Sequence, residues 1–308
     1  MTGQRRRIFA LCVFALGLSS SALGQSLTFS SRDSETPIDV TADGGIEWRQ
    51  TQKIFVARGN AKAVQGDVSV AADELVAHYR ESPTGATEVF RVDAVGNVKM
   101  TSADESATGA AAIYDIDKAV LVVEGDPVVL KTAKGSMTAR TALQYWSKEF
   151  VAVAEGDAEA VDGQRRLRAD KLTAYFKDRD AQGDAKTATK TGSATTGSFG
   201  RNELVLVRGE GNVRLTTAKE ILRGDRGEYN LETGVAKLEG GVKMTQGQNQ
   251  LNGAFAVVDT KAGTSRLFGS AAEAGVPGPR DDARVKALLA PRPRKDPLAP
   301  AVPSGSGG

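Results

Sequence analysis

The 308-residue chain has one cysteine, one histidine and few aromatic residues, and each shortage excludes something. Cys12 stands alone, so no intramolecular disulfide and no multi-thiolate metal site can form. His78 is the single histidine, so a Ser/His/Asp triad or a histidine-bound metal would rest on that one residue. A histidine on a strand face is the plainer reading of it. Long apolar runs are missing too. After Leu18 no stretch approaches the ~20 apolar residues of a membrane helix. Helix signals are weak from Ser26 to Gly269, and the most helix-like stretch, Asp281 to Ala290, is short. Gly192 to Gly200 lacks the lysine and the strand–helix setting of a phosphate loop.

What is present begins with a leader. Arg5, Arg6 and Arg7 precede an apolar run from Ile8 to Leu18, and small residues Ala22 and Gly24 follow. That three-part pattern predicts a secretory signal peptide over 1–24, cut near Gly24–Gln25 or after Ala22. The run is too short to span a bilayer well. Cys12 sits inside it and leaves with it, so the exported chain is expected to be cysteine-free. Of 40 Lys+Arg the leader removes three arginines, leaving 37 against 38 Asp+Glu. A near-neutral balance carries no nucleic-acid footprint.

An internal repeat organises the rest. Each of Tyr79, Tyr114, Tyr145, Tyr175 and Tyr229 follows, at similar distance, a Gly-Asn or Gly-Asp pair: Gly59-Asn60, Gly96-Asn97, Gly125-Asp126, Gly156-Asp157 and Gly211-Asn212. Trp48 fills the tyrosine slot before Gly59. An acid recurs shortly before the aromatic position, at Asp43, Asp73, Asp170 and Asp225. The period is about 30 residues. Within it Val68, Val70 and Ala72 alternate with polar or small residues, as do Val98 with Met100 and Val213 with Leu215, which marks strands with one buried face. Glycine tolerates positive φ and Asn or Asp supports it, so the pairs read as bends that curve a sheet. The tyrosine is expected to pack its ring on the apolar face and keep its hydroxyl wet or bonded.

The expected class is therefore all-β. Residues 25–268 form the repeat domain, with an insertion over about 177–202 whose Gly, Thr, Ser and Ala content suits a mobile loop. Residues 269–308 read as a disordered Pro-rich tail. Paired carboxylates could run acid–base chemistry on a polysaccharide. Here the acids recur in register, which fits a turn or cap better than a catalytic pair. Cofactors and metals are not expected. A one-sided apolar sheet is compatible with a filled core, as in a structural envelope protein, and equally with a groove for lipid chains. Pattern alone leaves both open.

A resemblance bears on that choice. Pro37-Ile38-Asp39-Val40-Thr41-Ala42-Asp43 looks like the opening motif of the OstA-like, or LptA, family of lipopolysaccharide-transport proteins. Val56-Ala57-Arg58-Gly59-Asn60-Ala61, then Gln65-Gly66-Asp67 and Ala71-Ala72-Asp73-Glu74-Leu75, is similar to its next signature. Leu167 to Tyr175 and Gly211-Asn212-Val213 are similar to its later repeats. The resemblance covers roughly Glu35 to Val258. It implies a twisted, open β-jellyroll in the periplasm that catalyses nothing and binds lipopolysaccharide, with acyl chains in an apolar groove. It implies stacking end to end, or against related jellyroll domains of the inner- and outer-membrane components, with movement driven elsewhere by an ATPase. A membrane-anchored or outer-membrane relative is the neighbouring alternative. Ser34 and Ile38 fall where the family's entry-side contacts lie. Alternation adds Val40, Val68, Val70, Val98 and Met100 as groove candidates, in a register that could be off by one. The 177–202 insertion, the extra repeats and the tail depart from the family's compact form.

Overall fold

A computed structural model describes residues 38–82, 85, 87–102, 105–132, 135–177, 203–277 and 284–289. The leader over 1–24, Ser34 and the insertion beyond Lys177 lie outside the described residues.

Alternating sequence with glycine punctuation gives hairpin after hairpin. The strands are β1 (Asp39–Thr41), β2 (Ile46–Arg49), β3 (Ile54–Gln65), β4 (Val68–Glu81), β5 (Thr87–Thr101), β6 (Glu105–Asp115), β7 (Val120–Glu124), β8 (Val128–Thr132) and β9 (Gly135–Ala139). Then come β10 (Ala142–Trp146), β11 (Val151–Asp162), β12 (Arg165–Lys177), β13 (Glu203–Thr216), β14 (Ile221–Asn230), β15 (Val235–Gln246), β16 (Asn249–Asp259), β17 (Thr264–Phe268) and β18 (Lys286–Leu288). All belong to one 18-stranded sheet, and each ladder is antiparallel. Only two short 3-10 turns, Gln50–Gln52 and Ala272–Ala274, interrupt the β pattern among the described residues.

The long strands do not run straight. Their registers shift at Arg58/Ala61, Val95/Val98, Glu155/Ala158, Glu210/Val213 and Glu239/Val242, each across a glycine pair or a Gly-Asn or Gly-Asp pair. Both residues of such a pair are left-handed: φ is 78° at Gly96 and 48° at Asn97, 73° at Gly211 and 51° at Asn212. Only glycine fits the first position. A Cβ on Gly96 would collide with the carboxylate of Asp73, and one on Gly211 with Asp170. Asn at the second position tolerates the αL region and donates to the same acid. Asn97 Nδ2 reaches Asp73 Oδ2 at 2.9 Å, Asn212 reaches Asp170 at 2.9 Å, and Asn60 reaches Asp43 at 2.8 Å. The recurrent acids are thus corner residues. In one layer Thr141 takes the acid's place against Gly156, and Asp157 pairs with Arg168 instead. At Gly125-Asp126-Pro127 proline cannot donate to a ladder, and the strand splits into β7 and β8.

At this line of corners the sheet folds over into two facing arms. Arm A holds β1, β8, β9, β18 and the halves of the long strands that pair with them; arm B holds β2, β7, β10, β17 and the other halves. The facing surfaces share one apolar core that takes in Val98, Leu130 and Leu222 from arm A and Leu75, Leu172 and Leu238 from arm B. The outer faces carry cross-strand ion pairs, such as Arg58–Glu74 at 2.6 Å and Arg208–Glu228 at 3.0 Å.

Two expectations need correction. Residues 269–308 are not structureless throughout: Lys286–Leu288 adds a strand to β16, opposite Asn252 to Gln250. The same strand replaces the helix suggested for Asp281 to Ala290. An open sheet edge binds a short extended segment through backbone hydrogen bonds, whatever its intrinsic preference. Tyr175 also departs from the rule for its slot. Phe176 is buried by simple alternation after Leu172 and Ala174, while Tyr175, one position off that face, lies outside under the Arg208 guanidinium, 5.2 Å from its ring.

The corner makes a direct demand on sequence. Gly96→Ala is expected to lower the unfolding free energy by about 2–4 kcal/mol, through collision and left-handed strain together. Asn97→Gly keeps the geometry and loses one side-chain hydrogen bond, so it costs about 1 kcal/mol or less. Urea denaturation of the two variants separates these outcomes.

Candidate functional site

The inward side chains can be read along the ladders, because directly opposed residues share a face. On arm A one inner row runs Val40, Ala63, Val70, Met100, Ala107, Leu130, Met137, Ala160, Leu167, Leu215, Leu222, Met244, Leu251. On arm B two rows matter. One contains Leu172, Gly209, Gly227 and Leu238 in successive strands; beside it run Ala174, Val207, Tyr229 and Ala236.

These rows decide where the arms touch. In the first half of the chain arm B presents Phe55, Tyr79, Tyr114, Leu121 and Tyr145, and the space between the arms is filled. Tyr79 is buried and accepts a hydrogen bond from Trp48 Nε1 at 2.8 Å, and the Phe55 ring lies against both, 5.5 Å from Trp48 and 5.0 Å from Tyr79. Burial pushes the Tyr114 phenol above the ordinary tyrosine value. In the second half glycine and alanine replace the large rings, and the arms stand apart. An apolar cavity of about 200 Å³ opens there. Leu167 and Leu215 line it from arm A, Leu172, Val207, Tyr229 and Leu238 from arm B, and Phe176 and Leu204 lie toward its mouth. Its rim carries Asp162, Arg165 and Thr217. A void larger than roughly 150 Å³ with leucine and phenylalanine walls takes up apolar molecules rather than water.

The sequence-derived candidates fall in two groups. Val68, Val70, Val98 and Met100 face inward and are all buried. They pack within the filled first half and do not line the cavity. Val40 on the terminal strand β1 and Ile38 just before it are exposed, at 36% and 48%, and no further layer covers them among the described residues. Ser34 lies outside the described residues. The cavity residues were missed because alternation marks a face, whereas a void depends on how small the residues on several successive strands are together. Gly209 and Gly227, opposite each other, are the signal that points to it.

His78 sits on the outer face, Nε2 3.0 Å from Asp93 Oδ2, with Arg91 Nε on the other oxygen at 2.6 Å. That is a surface ion-pair group away from the cavity. Among the described residues no three His, Cys, Asp or Glu side chains gather to hold a metal ion, and no helix is long and apolar enough to cross a membrane.

Fold and site together define a folded-over, all-β protein with an apolar trough between its arms. Comparison with known proteins places it. The family model for LptA and the LptD N-terminal domain, lipopolysaccharide transport proteins, matches residues 39–145 and again 138–264. The chain belongs to that family and carries its domain twice. It is similar to an uncharacterized protein of Rhizobium meliloti (strain 1021), 26% identical over 136 residues that make 41% of this chain and 73% of the other. It also matches the crystal structure of LptH, the LptA-homologous periplasmic component of the lipopolysaccharide transport device of Pseudomonas aeruginosa, at 17% identity and a TM-score of 0.38, over 50% of this chain and 94% of that one.

The raised Tyr114 value fixes a pH dependence. The fold prefers the protonated phenol, so this contribution is complete below the unfolded value near ~10 and is lost as pH rises through the higher folded value. Tyr114→Phe is expected to flatten the fall in thermal stability above about pH 10, measured by melting across pH 8–11.5.

Proposed function

We propose that the chain is a periplasmic carrier of lipopolysaccharide, shielding acyl chains between its arms on their way from the inner to the outer membrane. The observation that supports this most directly is the apolar cavity between the arms of a lipopolysaccharide-transport family member. Burial of acyl CH₂ groups returns ~0.8 kcal/mol each, which a dry, open-sided trough supplies without any reaction. The carrier reading needs no catalytic group. It is favoured over a polysaccharide-active enzyme because Asp43, Asp73 and Asp170 are engaged by asparagines at the corners. The leader and the near-neutral charge agree with an exported protein. Related jellyroll domains of the inner- and outer-membrane components, or further copies of this chain, would continue the trough at its two open ends.

Within this reading the second half is the seat of the lipid and the first half an entry passage that opens transiently. Photo-crosslinking side chains at Leu167 and Val207, in a lipopolysaccharide-producing host, are expected to give lipopolysaccharide adducts, while outward Thr173 gives none. Ile38 and Val70 against outward Ser69 test the first half in the same way. Adducts at Thr173 as strong as at Leu167, or none anywhere on a folded protein, would overturn the carrier reading.

A further inference from the structure

The outer faces of the two arms treat charge differently. On arm B the cations of the second half stand against acids: Lys171 with Glu155 at 3.3 Å, Arg208 with Glu228 at 3.0 Å, and Arg226 with Glu239 at 2.6 Å. On arm A the middle outer row begins in a similar spirit. It runs Lys62, Ala71, Lys99, Thr108, Val129, Thr138, Glu159, so neutral residues separate the two lysines. From there the same row continues as Arg168, Arg214, Arg223, Lys243, Asn252, Lys286, each directly opposite the next. Arg168 is answered by Asp157 at 2.8 Å and by Glu159 at 3.5 Å. Arg214, Arg223, Lys243 and Lys286 are exposed, and none of them enters an ion pair among the described residues.

This arrangement works against the fold. Like charges directly opposite on neighbouring strands repel. Strands lie ~4.8 Å apart, inside the Debye length of ~8 Å at physiological salt, so the repulsion is poorly screened. The nearest acids do not relieve it. Asp170 accepts from Asn212 at the corner, Asp225 lies against Gly240, and Glu220 at the mouth accepts from Ser265 at 3.1 Å. One acid in the row would suffice, as arm B demonstrates three times. From Arg214 to Lys286 the row covers four strand spacings, about 19 Å. It is confined to the half of the chain that holds the cavity. An anionic partner outside the molecule accounts for it.

The surroundings of the row indicate which kind of anion. Neither this row nor the one beside it carries Trp, Tyr or Phe between Arg166 and Leu288, so the aromatic anchors typical of a protein interface are missing. Two residues toward the mouth the neighbouring outer row runs Arg166, Thr216, Ile221, Thr245, Gln250, Leu288. Ile221 and Leu288 point outward there and are exposed at 36% and 67%. Cations on long flexible stems with apolar side chains along one border match a lipid interface, where the charged heads meet phosphates and the apolar groups enter the boundary layer. Ile221 also stands at the lip of arm A, four residues beyond Thr217 on the cavity rim.

We propose that the outer face of arm A in the second half docks on an anionic phospholipid surface. Arg214, Arg223, Lys243 and Lys286 lie against the headgroups, and Ile221 and Leu288 enter the interface beside them. The surface contact stands on charge and exposure alone. The purpose given to it, holding the mouth of the cavity beside lipid, rests on the carrier reading.

The test uses residues 25–308, since the cations and apolar run of the leader would bind lipid themselves. Vesicles of pure phosphatidylcholine are compared with vesicles in which about one third of the lipid is phosphatidylglycerol. Flotation is expected to carry the chain with the anionic vesicles only, and to lose it as salt shortens the Debye length toward ~3 Å. Arg223→Gln and Lys243→Gln each weaken binding about fivefold, and together about twentyfold. Lys171→Gln with Arg208→Gln removes as many cations from arm B and changes binding by about twofold or less, because those positions face away from the docked surface. The Arg223→Gln, Lys243→Gln variant melts at or above the parent in low salt, since it relieves like-charge contacts, so its lost binding is not lost folding. A polarity-sensitive dye attached through Ile221→Cys shifts to the blue on anionic vesicles, and one attached through Thr173→Cys on the outer face of arm B does not. Equal binding to neutral vesicles, binding unchanged by the Arg223 and Lys243 substitutions, or a blue shift as large at Thr173 would each overturn the inference. So would retention by polyglutamate or duplex DNA with none by anionic vesicles, which would assign the row to an acidic protein or a nucleic acid. Vesicle binding without lipopolysaccharide adducts at Leu167 would leave the surface contact standing and remove the carrier reading; adducts without vesicle binding would do the reverse.

Discussion

Two consecutive left-handed residues are what the structure depends on. Strands of 12 to 15 residues, as in β3 and β5, would on their own extend one flat sheet with two wet faces. The Gly-Asn corner stops that. Glycine supplies the conformation and leaves room for a neighbouring carboxylate, and asparagine supplies the donor that carboxylate needs. Because the acid comes from one strand and the Gly-Asn pair from the next, each corner locks two layers. Repetition of that lock along the sheet aligns the corners, and alignment is what lets two arms face each other at all.

Once the arms face, side-chain volume sets the distance between them. A sheet without helices has only its own other half against which to bury its apolar face. Large rings at Phe55, Tyr79 and Tyr145 close the gap in the first half. Gly209, Gly227, Ala174 and Ala236 leave it open in the second. At ~24 cal/mol per Å³ an unfilled void of 200 Å³ forgoes about 5 kcal/mol. That is a large fraction of a typical domain's stability. Such a gap is more easily understood as a place for an apolar occupant, which returns the lost contacts, than as a packing fault. The outer ion pairs contribute little singly, since most lie in solvent and the rest are only partly buried. Their role is to keep the second face of a long sheet wet and its registers matched.

Much of this was legible in the residues, and the reasons are local. A position that needs positive φ must be glycine or nearly so, and the Gly-Asn pairs announced their corners. Alternation along β4 and β5 marks one face, and Val68, Val70, Val98 and Met100 lie together on the buried one. What escaped reading was set by several strands at once. The void depends on small residues in neighbouring strands that are far apart in sequence. The exchange of Tyr175 for Phe176 depends on parity with Leu172 and Ala174, which the spacing of the aromatic slot does not carry. The strand at Lys286–Leu288 depends on an edge being free to capture it, and nothing in Lys-Ala-Leu itself asks for a strand.

The two family matches within one chain add a last constraint. Residues 138–145, where the matches overlap, lie in the middle of a sheet that passes through without a break: β10 pairs with β7 on one side and β11 on the other. Joining two separate domains edge to edge costs several kcal/mol of translational and rotational freedom. A covalent link replaces that cost with the small one of closing a short connection. This chain therefore contains one joint that needs no concentration to form, and its inner rows run through it continuously. An apolar chain moving along the inner face would meet no gap there. Among the described residues the sheet's free edges lie at its two ends, where exposed Ile46 and Trp48 at one end, and Val285 and Leu289 at the other, remain uncovered. The fusion confines the edge problem of an open sheet to those two places, and it concentrates there whatever selectivity the protein has for its neighbours.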